Sequence, residues 1–352
     1  MRVMAVAQAF RETFTVGAVS DALCGGIAAA GATPVLVPGS DGGDGLLEVL
    51  ASLFDRRTTH RVAGPLDEPV DVSAGWFGPT AVIESSQVCG LARLPQSRRD
   101  PLQTSTRGVG ELVGQLEGEG AVEVYVGLGG SATMDGGMGM ARAWGWVPMD
   151  RYRQALPDGG GSLRELDSLG EGRAPNATIT GLADVHNPLN GPAGAEVYAP
   201  QKGATPESTR RLSQGLDRLA RISQRPDLAC LEGSGAAGGL GFGILFFGRG
   251  NLLRGAPWVL ERVGFHRLLP TVDLVVCAEG AFDATSLAGK LTGTVLEAAR
   301  AKRIPAALVA PRASAVPDDV LVETGGGHWS PQELAARTQS LVARALRSRR
   351  DA

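Results

Sequence analysis

Glycine-rich segments that also contain acids, hydroxyl groups or a lysine recur along this chain, and such groups can bind phosphate. In residues 126–140 (VGLGGSATMDGGMGM), an apolar run leads into glycines and then into small residues that predict a helix over 137–144. Unshielded backbone N–H groups at a helix N-terminus can bind an anion. We therefore predict that Gly129, Gly130 and Ser131 bind a phosphate group. The alternative is a tight strand-to-helix turn that only packs closely.

An acidic residue follows the apolar run 177–182, in the segment ADVHNPLNGP. Asp184 lies at the end of a predicted strand, where a carboxylate can orient Mg²⁺ or accept a proton from an attacking hydroxyl group. We predict Asp184 as a catalytic residue and metal ligand, whereas His186 is more typical of a local hydrogen-bonding residue. Further along, Lys202 in the segment PQKGAT could steady nucleotide phosphates, although a loop lysine is commonly only solvated.

A second acidic segment, CAEGAFDATSLAGK, follows a strand predicted over 273–277. Glu279 and Asp283 lie just beyond the carboxyl end of that strand, where ligands bind in open α/β sheets. Two acids and a lysine around a glycine turn can hold Mg²⁺ and compensate the charge of a phosphate group. We predict Glu279 as a metal ligand, and Asp283 and Lys290 as catalytic residues.

The segment PGSDGGDG, residues 38–45, follows the second predicted strand. It lacks the alternating oxygen ligands and the closing glutamate of an EF-hand, which excludes that type of calcium loop. We predict that Ser40, Asp41, Gly42 and Gly43 bind substrate. A plain Asp-Gly turn is the alternative.

The segment GSGAAGGLGFG, residues 233–243, precedes an apolar helix or strand. Glycines in such a loop can bind phosphate, or they can let two elements approach closely. Gly238 and Gly239 are the candidate phosphate-binding residues, and both interpretations stay open.

Helix-like and strand-like apolar spacing alternates at both ends of the chain. The predicted elements are strand 2–7, helix 16–30, strand 33–37 and helix 46–54, and then strand 273–277, helix 292–302 and strand 306–309. This alternation predicts an α/β fold with a parallel, helix-covered sheet, whereas the middle of the chain mixes short strands with glycine-rich turns. We predict two domains: a Rossmann-like domain built from residues 1–66 and 244–352, and a second α/β domain, 67–243, inserted between them.

The composition argues against several classes of protein. The 352 residues carry a formal net charge of −3 and only 5% aromatic residues, which is unlike a nucleic-acid-binding surface. The four cysteines lie far apart and are typical of reduced thiols in a cytoplasmic protein. No apolar stretch approaches the roughly 20 residues of a membrane span. We expect a cytoplasmic protein with a small-molecule substrate and no nucleic-acid or membrane partner, and a homodimer is compatible with the sequence.

Taken in order, these motifs resemble the bacterial glycerate kinase family along nearly the whole chain. They are SDGGDG at 40–45, AVIESS at 81–86, GLGGSATMDGG at 127–137, ADVHNPLNGP at 183–192, PQKGATPE at 200–207, GSGAAGGLGFG at 233–243 and AEGAFDATSLAGK at 278–290. The resemblance implies two α/β domains, with the active site in the cleft between them. It also implies ATP as phosphoryl donor, Mg²⁺ as cofactor, and glycerate as acceptor, typically converted to 2-phosphoglycerate.

The chain departs from the family in two segments that follow strands of one domain. The family usually has Asp-Ser-Phe-Lys after its first strand, where this chain has Gln8-Ala9-Phe10-Arg11. The usual Gly-Glu-Gly-Arg-hydrophobic-Asp-x-Gln-Thr segment is altered here at Ala278, Ala281, Thr285 and Ser286. Changed hydrogen-bonding groups can shift specificity strongly, since the polar groups of a substrate are left unpaired. Arg11 could still pair with a substrate carboxylate.

Three functions stay open at this point. The first is a glycerate kinase or a close relative acting on a small hydroxy acid. The second is a kinase of the same family recruited to a different hydroxylated substrate, for instance in specialised biosynthesis or resistance. The third is a nucleotide-binding homologue without catalytic activity.

Overall fold

The computed structural model describes residues 1–10, 13–287 and 289–350, without the side chains of Arg349 and Arg350. The chain divides into two compact units, one formed by Met1–Leu50 with Arg254–Ala352 and the other by Ala51–Leu253. We call them the first and the second unit. Both are α/β structures, so the prediction that the chain ends form one domain around an insertion agrees with this division.

The elements are numbered in chain order. The strands are β1 Arg2–Ala7, β2 Thr33–Pro38, β3 Arg56–Ala63, β4 Pro69–Phe77, β5 Thr80–Glu84, β6 Glu123–Gly127, β7 Val147–Met149, β8 Ser168–Gly170, β9 Thr178–Leu182, β10 Asn251–Leu253, β11 Leu274–Ala278, β12 Ala306–Val309 and β13 Val320–Glu323. The α-helices are α1 Val16–Ala29, α2 Leu46–Val49, α3 Ser85–Cys89, α4 Arg107–Gly118, α5 Met138–Ala143, α6 Pro206–Ile222, α7 Pro226–Ala229, α8 Ala236–Phe246, α9 Gly255–Arg262, α10 Phe265–Leu268, α11 Ala284–Leu287, α12 Leu291–Ala301 and α13 Pro331–Arg350.

The first unit contains a five-stranded sheet in the order β13-β12-β11-β1-β2, in which all neighbours are parallel. Alternate residues of β1 point to opposite faces, so Met4 and Val6 pack in one core while Val3 and Ala5 pack in another. Helices α9, α10 and α12 cover the first face, and α1 and α13 cover the second. A parallel sheet covered by helices on both faces is the Rossmann-like architecture expected for the chain ends.

The second unit contains a six-stranded mixed sheet in the order β10-β9-β6-β5-β4-β3. Strands β3, β4 and β5 are antiparallel neighbours, whereas β5, β6, β9 and β10 run parallel. Helix α4 packs its apolar side on this sheet, with Val109, Leu112, Val113 and Leu116 all buried. Because the four parallel strands end at one edge, the loops that follow them lie side by side.

Two details differ from the sequence-based expectations. The predicted domain boundaries, after residues 66 and 243, both lie inside the second unit, because β3 pairs along its length with β4 and β10 pairs with β9. The helix expected over 46–54 ends at Val49. Phe54 instead packs against Gly75 and contacts Phe77 in a tilted arrangement with the ring centroids 4.9 Å apart, which takes it out of the helix. Over the part of the chain that the structure describes, no helix has the length and apolarity to cross a bilayer.

Candidate functional site

A cavity of about 630 Å³ lies in the first unit at the carboxyl ends of its strands. The chain leaves β1 toward β2 on one side of the sheet and reaches β12 and β13 from β11 on the other. This change of direction between β1 and β11 is where open α/β sheets bind ligands. Gln8 follows β1 and Glu279 follows β11, and both line the cavity. The topology therefore supports a ligand site at this place.

The loop after β2 forms one wall of the cavity. Ser40 and Asp41 line the cavity, and Gly42 and Gly43 are buried behind them. The amide of Gly42 donates to Ser40 Oγ and that of Gly43 to Asp41 Oδ1, each at 3.1 Å. The segment is thus an Asp-Gly turn whose own hydrogen bonds hold it in shape, and two of its polar residues face the cavity.

Glu279 presents a buried carboxylate oxygen to this site. Its Oε1 accepts a hydrogen bond from Ser286 Oγ at 2.9 Å, while Oε2 makes none within the described residues. Burial raises the pKa of Glu279, and the hydroxyls of Thr292 and Ser286 and the charge of Lys290 act against that rise. A buried oxygen without a partner costs free energy unless a ligand satisfies it. Glu279 is therefore suited to bind a cation or a hydrogen-bond donor.

Gln8 replaces the family's usual acid and is held by two contacts. Its Nε2 donates to the carbonyl of Ala278 at 3.3 Å and to Thr292 Oγ1 at 3.2 Å. An aspartate there could donate to neither group. The departure from the family thus belongs to a hydrogen-bonded network beside Glu279.

Lys290 and Asp283 are connected through Thr285. The ammonium of Lys290 donates to Thr285 Oγ1 at 3.1 Å, and Thr285 Oγ1 donates to Asp283 Oδ1 at 2.6 Å. Lys290 lines the cavity, but Asp283 is exposed and is not among the lining residues. The hydroxyl and amide of Thr285 lower the pKa of Asp283, whose carboxylate caps the turn into α11. The structure thus accounts for Asp283 as a capping residue.

Other groups around the cavity were not singled out from the sequence. They are the rings of Phe10, Phe14 and Trp329, the guanidinium of Arg312, and the side chains of Asp44 and His328. The signal that could have revealed some of them is the segment GGGHW at residues 325–329, a glycine-rich stretch that follows a strand end like the other motifs. Arg11, predicted to pair with a substrate carboxylate, lies outside the described residues.

A second candidate site lies at the edge of the second unit where β5, β6 and β9 end together. In the register of the sheet, Glu84 pairs with Gly127, and Gly127 pairs with Leu182. Ser85 Oγ donates to the carbonyl of Gly127 at 2.8 Å, which ties the end of β5 to that of β6. Asp184, half-buried, follows β9 at this same edge. The sheet thus brings the predicted phosphate loop and Asp184 to neighbouring strand ends.

The open amides of this site belong to the loop and not to the helix that follows. The amides at the start of α5, a helix of only six residues, already have acceptors in the protein. Gly137, just before the helix, and Gly139, within it, donate to the carboxylate of Asp135 at 3.1 and 3.0 Å. Within the described residues, the amides of Gly129, Gly130 and Ser131 donate no hydrogen bond. The open amides therefore belong to residues 129–131, which the sequence predicts to bind phosphate, and not to the N-terminus of α5.

Lys202 is buried beneath this loop, with 4% of its surface exposed. Its ammonium donates to Ser131 Oγ at 2.9 Å and to the carbonyl of Thr133 at 2.8 Å. Burial lowers the pKa of Lys202 to about 8, and the charge of Asp135 acts in the opposite direction. The alternative of a solvated loop lysine is wrong, because the 3₁₀ turn Pro200–Lys202 directs this side chain into the unit.

Gly238 and Gly239 are buried against the backbone of the same loop. Their φ angles are 70° and 89°, in the left-handed region that favours glycine. A Cβ at Gly238 would lie 1.9 Å from the carbonyl oxygen of Thr133, and one at Gly239 would lie 2.7 Å from Gly136 Cα. This geometry accounts for both glycines by the close approach of two elements, which is the alternative to phosphate binding given above.

In the part of the chain that the structure describes, no group of three or more histidine, cysteine, aspartate or glutamate side chains is arranged to hold a metal ion. The two predicted metal ligands lie in different units, Asp184 after β9 and Glu279 after β11. His186, half-exposed in the same loop as Asp184, contacts Glu232 at 2.9 Å between Nδ1 and Oε2. This contact agrees with its expected role as a local hydrogen-bonding residue.

Comparison with known proteins places these sites in a family. The family model for the glycerate kinase family matches residues 3–346. A glycerate kinase of Bacillus subtilis is 36% identical over 318 residues, which cover 87% of this chain and 83% of the relative. The glycerate 2-kinase of Escherichia coli is 34% identical over 304 residues, covering 83% and 80%.

A crystal structure of a Salmonella typhimurium LT2 protein that carries the name glycerate kinase 2 covers all of both chains. It aligns with a TM-score of 0.78 at 29% sequence identity, so the fold resemblance extends over the whole chain. The match of the family model and the identity to several curated relatives agree with the order of motifs along the sequence. This chain belongs to the glycerate kinase family.

Proposed function

We propose that the protein transfers a phosphoryl group from ATP to a hydroxyl group of a small hydroxy acid resembling glycerate. The observation that carries this proposal is the family match over residues 3–346, together with relatives named glycerate kinase at 34–37% identity. The open amides after β6 and the polar cavity of the first unit are the two structural features that support it. The protein would act in the cytoplasm, and it would need neither a nucleic acid nor a membrane as partner.

The loop 129–131 is the proposed binding site for nucleotide phosphate. Three consecutive amides that find no acceptor in the described part of the chain, next to the Ser131 hydroxyl, fit anionic oxygens. Such donors stabilise the charge that spreads over a phosphoryl group during transfer. ATP, when bound, supplies the phosphoryl group, and the residues of this loop would orient it.

Magnesium is the proposed cofactor. The unpartnered Oε2 of Glu279 is a hard oxygen ligand of the kind Mg²⁺ prefers, so the residue fits this role. Asp184 is the second proposed ligand, and it is also the proposed base that takes the proton of the attacking hydroxyl group. The metal ion, when bound, would neutralise phosphate charge.

The cavity of the first unit is the proposed acceptor site. Ser40 and Asp41 would hydrogen-bond the hydroxyl groups of the acid, and Lys290 would compensate negative charge near the transferred group. Arg11 would pair with the acceptor carboxylate. Asp283 would support Lys290 through Thr285.

A different acceptor is the second candidate, and one observation favours it. The cavity of about 630 Å³ is large for a three-carbon acid, and Phe10, Phe14 and Trp329 contribute apolar surface to its wall. Cavities of roughly 300–1,000 Å³ are typical for ligands of drug size. A hydroxy acid with an apolar substituent would pack that substituent against these aromatic rings.

A coupled assay of ADP release tests the proposal. The purified protein is incubated with ATP, Mg²⁺ and either D-glycerate or one of a series of larger hydroxy acids and sugar acids, and the phosphorylated product is identified by phosphorus NMR. We expect turnover above the acceptor-free rate for at least one acid. Nucleotide binding in calorimetry without turnover on any acceptor would instead indicate a non-catalytic homologue.

A further inference from the structure

We propose that Lys202 is a positioning residue that acts on the bound phosphate through Ser131: it holds the loop from beneath and directs the Ser131 hydroxyl toward the ligand. This inference rests on the proposed function, because it takes residues 129–131 as the phosphate site. Lys202 would then not contact the phosphate itself, but would support Ser131, which does. The argument follows from burial and from the direction of two hydrogen bonds.

Burial separates Lys202 from any ligand. Its side chain is 4% exposed, and the two residues that it contacts, Ser131 and Thr133, are 3% and 0% exposed. Gly129 and Gly130, by contrast, are half-exposed. A phosphate group that reaches the open amides therefore meets the loop from the side opposite the ammonium group.

The hydrogen bond to Ser131 determines what its hydroxyl can do. The ammonium of Lys202 donates to Ser131 Oγ at 2.9 Å, so this oxygen is an acceptor on its buried side. Its own proton meets no acceptor among the described residues and is free to be donated to a ligand. A donor that accepts from a cation is polarised and donates more strongly. Ser131 thus carries part of the effect of the buried charge toward the half-exposed Gly129 and Gly130 that precede it.

A second buried charge holds the other end of the loop. Asp135 Oδ2 accepts from the amide and the hydroxyl of Thr106, both at 2.8 Å, and the carboxylate also accepts from the amides of Gly137 and Gly139. The loop is therefore clamped by a cation at Ser131 and Thr133 and by an anion at residues 135–139. This clamp keeps the amides of residues 129–131 in one conformation, which lowers the entropic cost of binding.

The groups that face Lys202 allow its charge to be tested separately. They are Asp135 and the thiol of Cys89, whose pKa is raised to about 12 by burial. The thiol stays neutral between pH 7 and 9, whereas Lys202 changes its charge in this range. Burial raises the pKa of Asp135, and the hydrogen bonds from Thr106, Gly139 and Gly137 act against that rise. A neutral amine can still donate both hydrogen bonds. Raising the pH thus removes the charge and leaves the mechanical support.

The first experiment is calorimetric titration of ATP with Mg²⁺ into the purified full-length protein and into Lys202→Met. We expect about tenfold weaker binding for this variant, the effect of losing a charge-assisted hydrogen bond. Lys302→Met is the matched control, since it removes the same charge from an exposed position after α12 and should bind like the wild type. Equal affinity of Lys202→Met and the wild type overturns the proposal.

The second experiment uses the wild type and does not depend on the folding of a variant. Nucleotide affinity should fall severalfold between pH 7 and 9 as the ammonium of Lys202 loses its proton, and Lys202→Arg should remove this fall. An affinity that stays constant across this range means that Lys202 only supports the loop mechanically, which contradicts its action through Ser131.

Ser131→Ala separates this inference from the proposed function. If Ser131→Ala binds the nucleotide as tightly as the wild type, the Ser131 hydroxyl does not contact the phosphate and the inference about Lys202 fails, whereas the proposed site at the backbone amides is unaffected. If Ser131→Ala weakens binding while Lys202→Met does not, only the inference about Lys202 fails. We expect both variants to weaken binding and the double variant to be little weaker than Lys202→Met, because residues that act as one unit are not additive.

Discussion

The cavity of the first unit and the loop of the second unit use charged side chains in opposite ways. Around the cavity, Lys290 is only half-buried, and one carboxylate oxygen of Glu279 has no hydrogen-bond partner among the described residues. Beneath the loop, Lys202 and Asp135 are buried, and within the described residues they hydrogen-bond to other groups of the protein: Lys202 to Ser131 and Thr133, and Asp135 to Thr106. The charges around the cavity are accessible to a ligand, whereas those beneath the loop hold the backbone in place through hydrogen bonds. Substitutions should therefore reduce activity in the first region and stability in the second.

The largest effect is expected for Gly238→Ala. The new Cβ would meet the carbonyl oxygen of Thr133 at 1.9 Å, and the residue has a φ of 70°, so neither backbone can accommodate the side chain without moving. Strain and overpacking together should lower the free energy of unfolding of the second unit by about 3–5 kcal/mol. Chemical denaturation followed by circular dichroism measures this loss.

Lys290→Met tests the other half of the comparison. Removing the cation from the cavity should lower kcat/KM for the best acceptor about a hundredfold, roughly 2.7 kcal/mol, while the midpoint of denaturation changes little. Steady-state kinetics with Lys302→Met as control measures the effect. A variant that keeps its activity, or that loses stability to the same extent as activity, would contradict the assignment of Lys290 to ligand binding.

A smaller effect is expected from the titration of Lys202. Burial lowers the pKa of Lys202 from the 10.5 that is usual for lysine to about 8 in the folded protein, so the unfolded chain binds more protons between these values. The free energy of unfolding should therefore rise with pH in this window, by about 1 kcal/mol between pH 8 and 9. Denaturation curves of the wild type minus those of Lys202→Met isolate this contribution, because the buried thiols of Cys89 and Cys277 act in the opposite direction above pH 9 in both proteins. A constant difference between the two proteins would contradict the buried, charged lysine.

The smallest effect is a stabilisation. Gly114 lies on the exposed side of α4, and a Cβ there would meet no atom within 4 Å. Gly114→Ala should raise the free energy of unfolding by about 0.5–1 kcal/mol, since alanine loses less conformational entropy in a helix. The same denaturation experiment measures it, and this variant is also the matched control for Gly238→Ala. If Gly114→Ala instead lowered the free energy of unfolding, the space around the new Cβ would not explain the different effects at Gly114 and Gly238.

Much of the fold could be predicted from the sequence because local patterns determine it. The strands β1, β2, β11 and β12 lie, to within one residue, where the apolar runs predict them. Helix α2 was predicted too long, since nothing in residues 46–54 reveals that Phe54 packs against Gly75, which belongs to a later strand. The pairing of β3 with β4 could not be predicted for a similar reason, because the partner of a strand is not visible in the pattern of that strand alone.

The candidate sites show the same division. Ser40, Asp41 and Glu279 could be expected at one edge because each follows a strand, and strand ends of a parallel sheet meet at one edge. The aromatic residues of the cavity could not, since Trp329 comes from a loop that only the packed sheet brings to that edge. Asp135 was overlooked because its partner Thr106 lies 29 residues earlier in the chain.

The sequence by itself determined which segments are strands, which loops are rich in glycine, and to which family the chain is related. Only the tertiary structure decided which of those glycines leave their amides open, as Gly129 and Gly130 do. It also decided at which glycines neighbouring backbone occupies the space of a side chain, as at Gly238 and Gly239. It also decided that Lys202 is buried, because its partner Ser131 lies 71 residues away in the chain. The physical reason is that periodicity and turn chemistry act between neighbours in sequence, whereas burial and hydrogen bonding depend on atoms that folding brings together from distant positions.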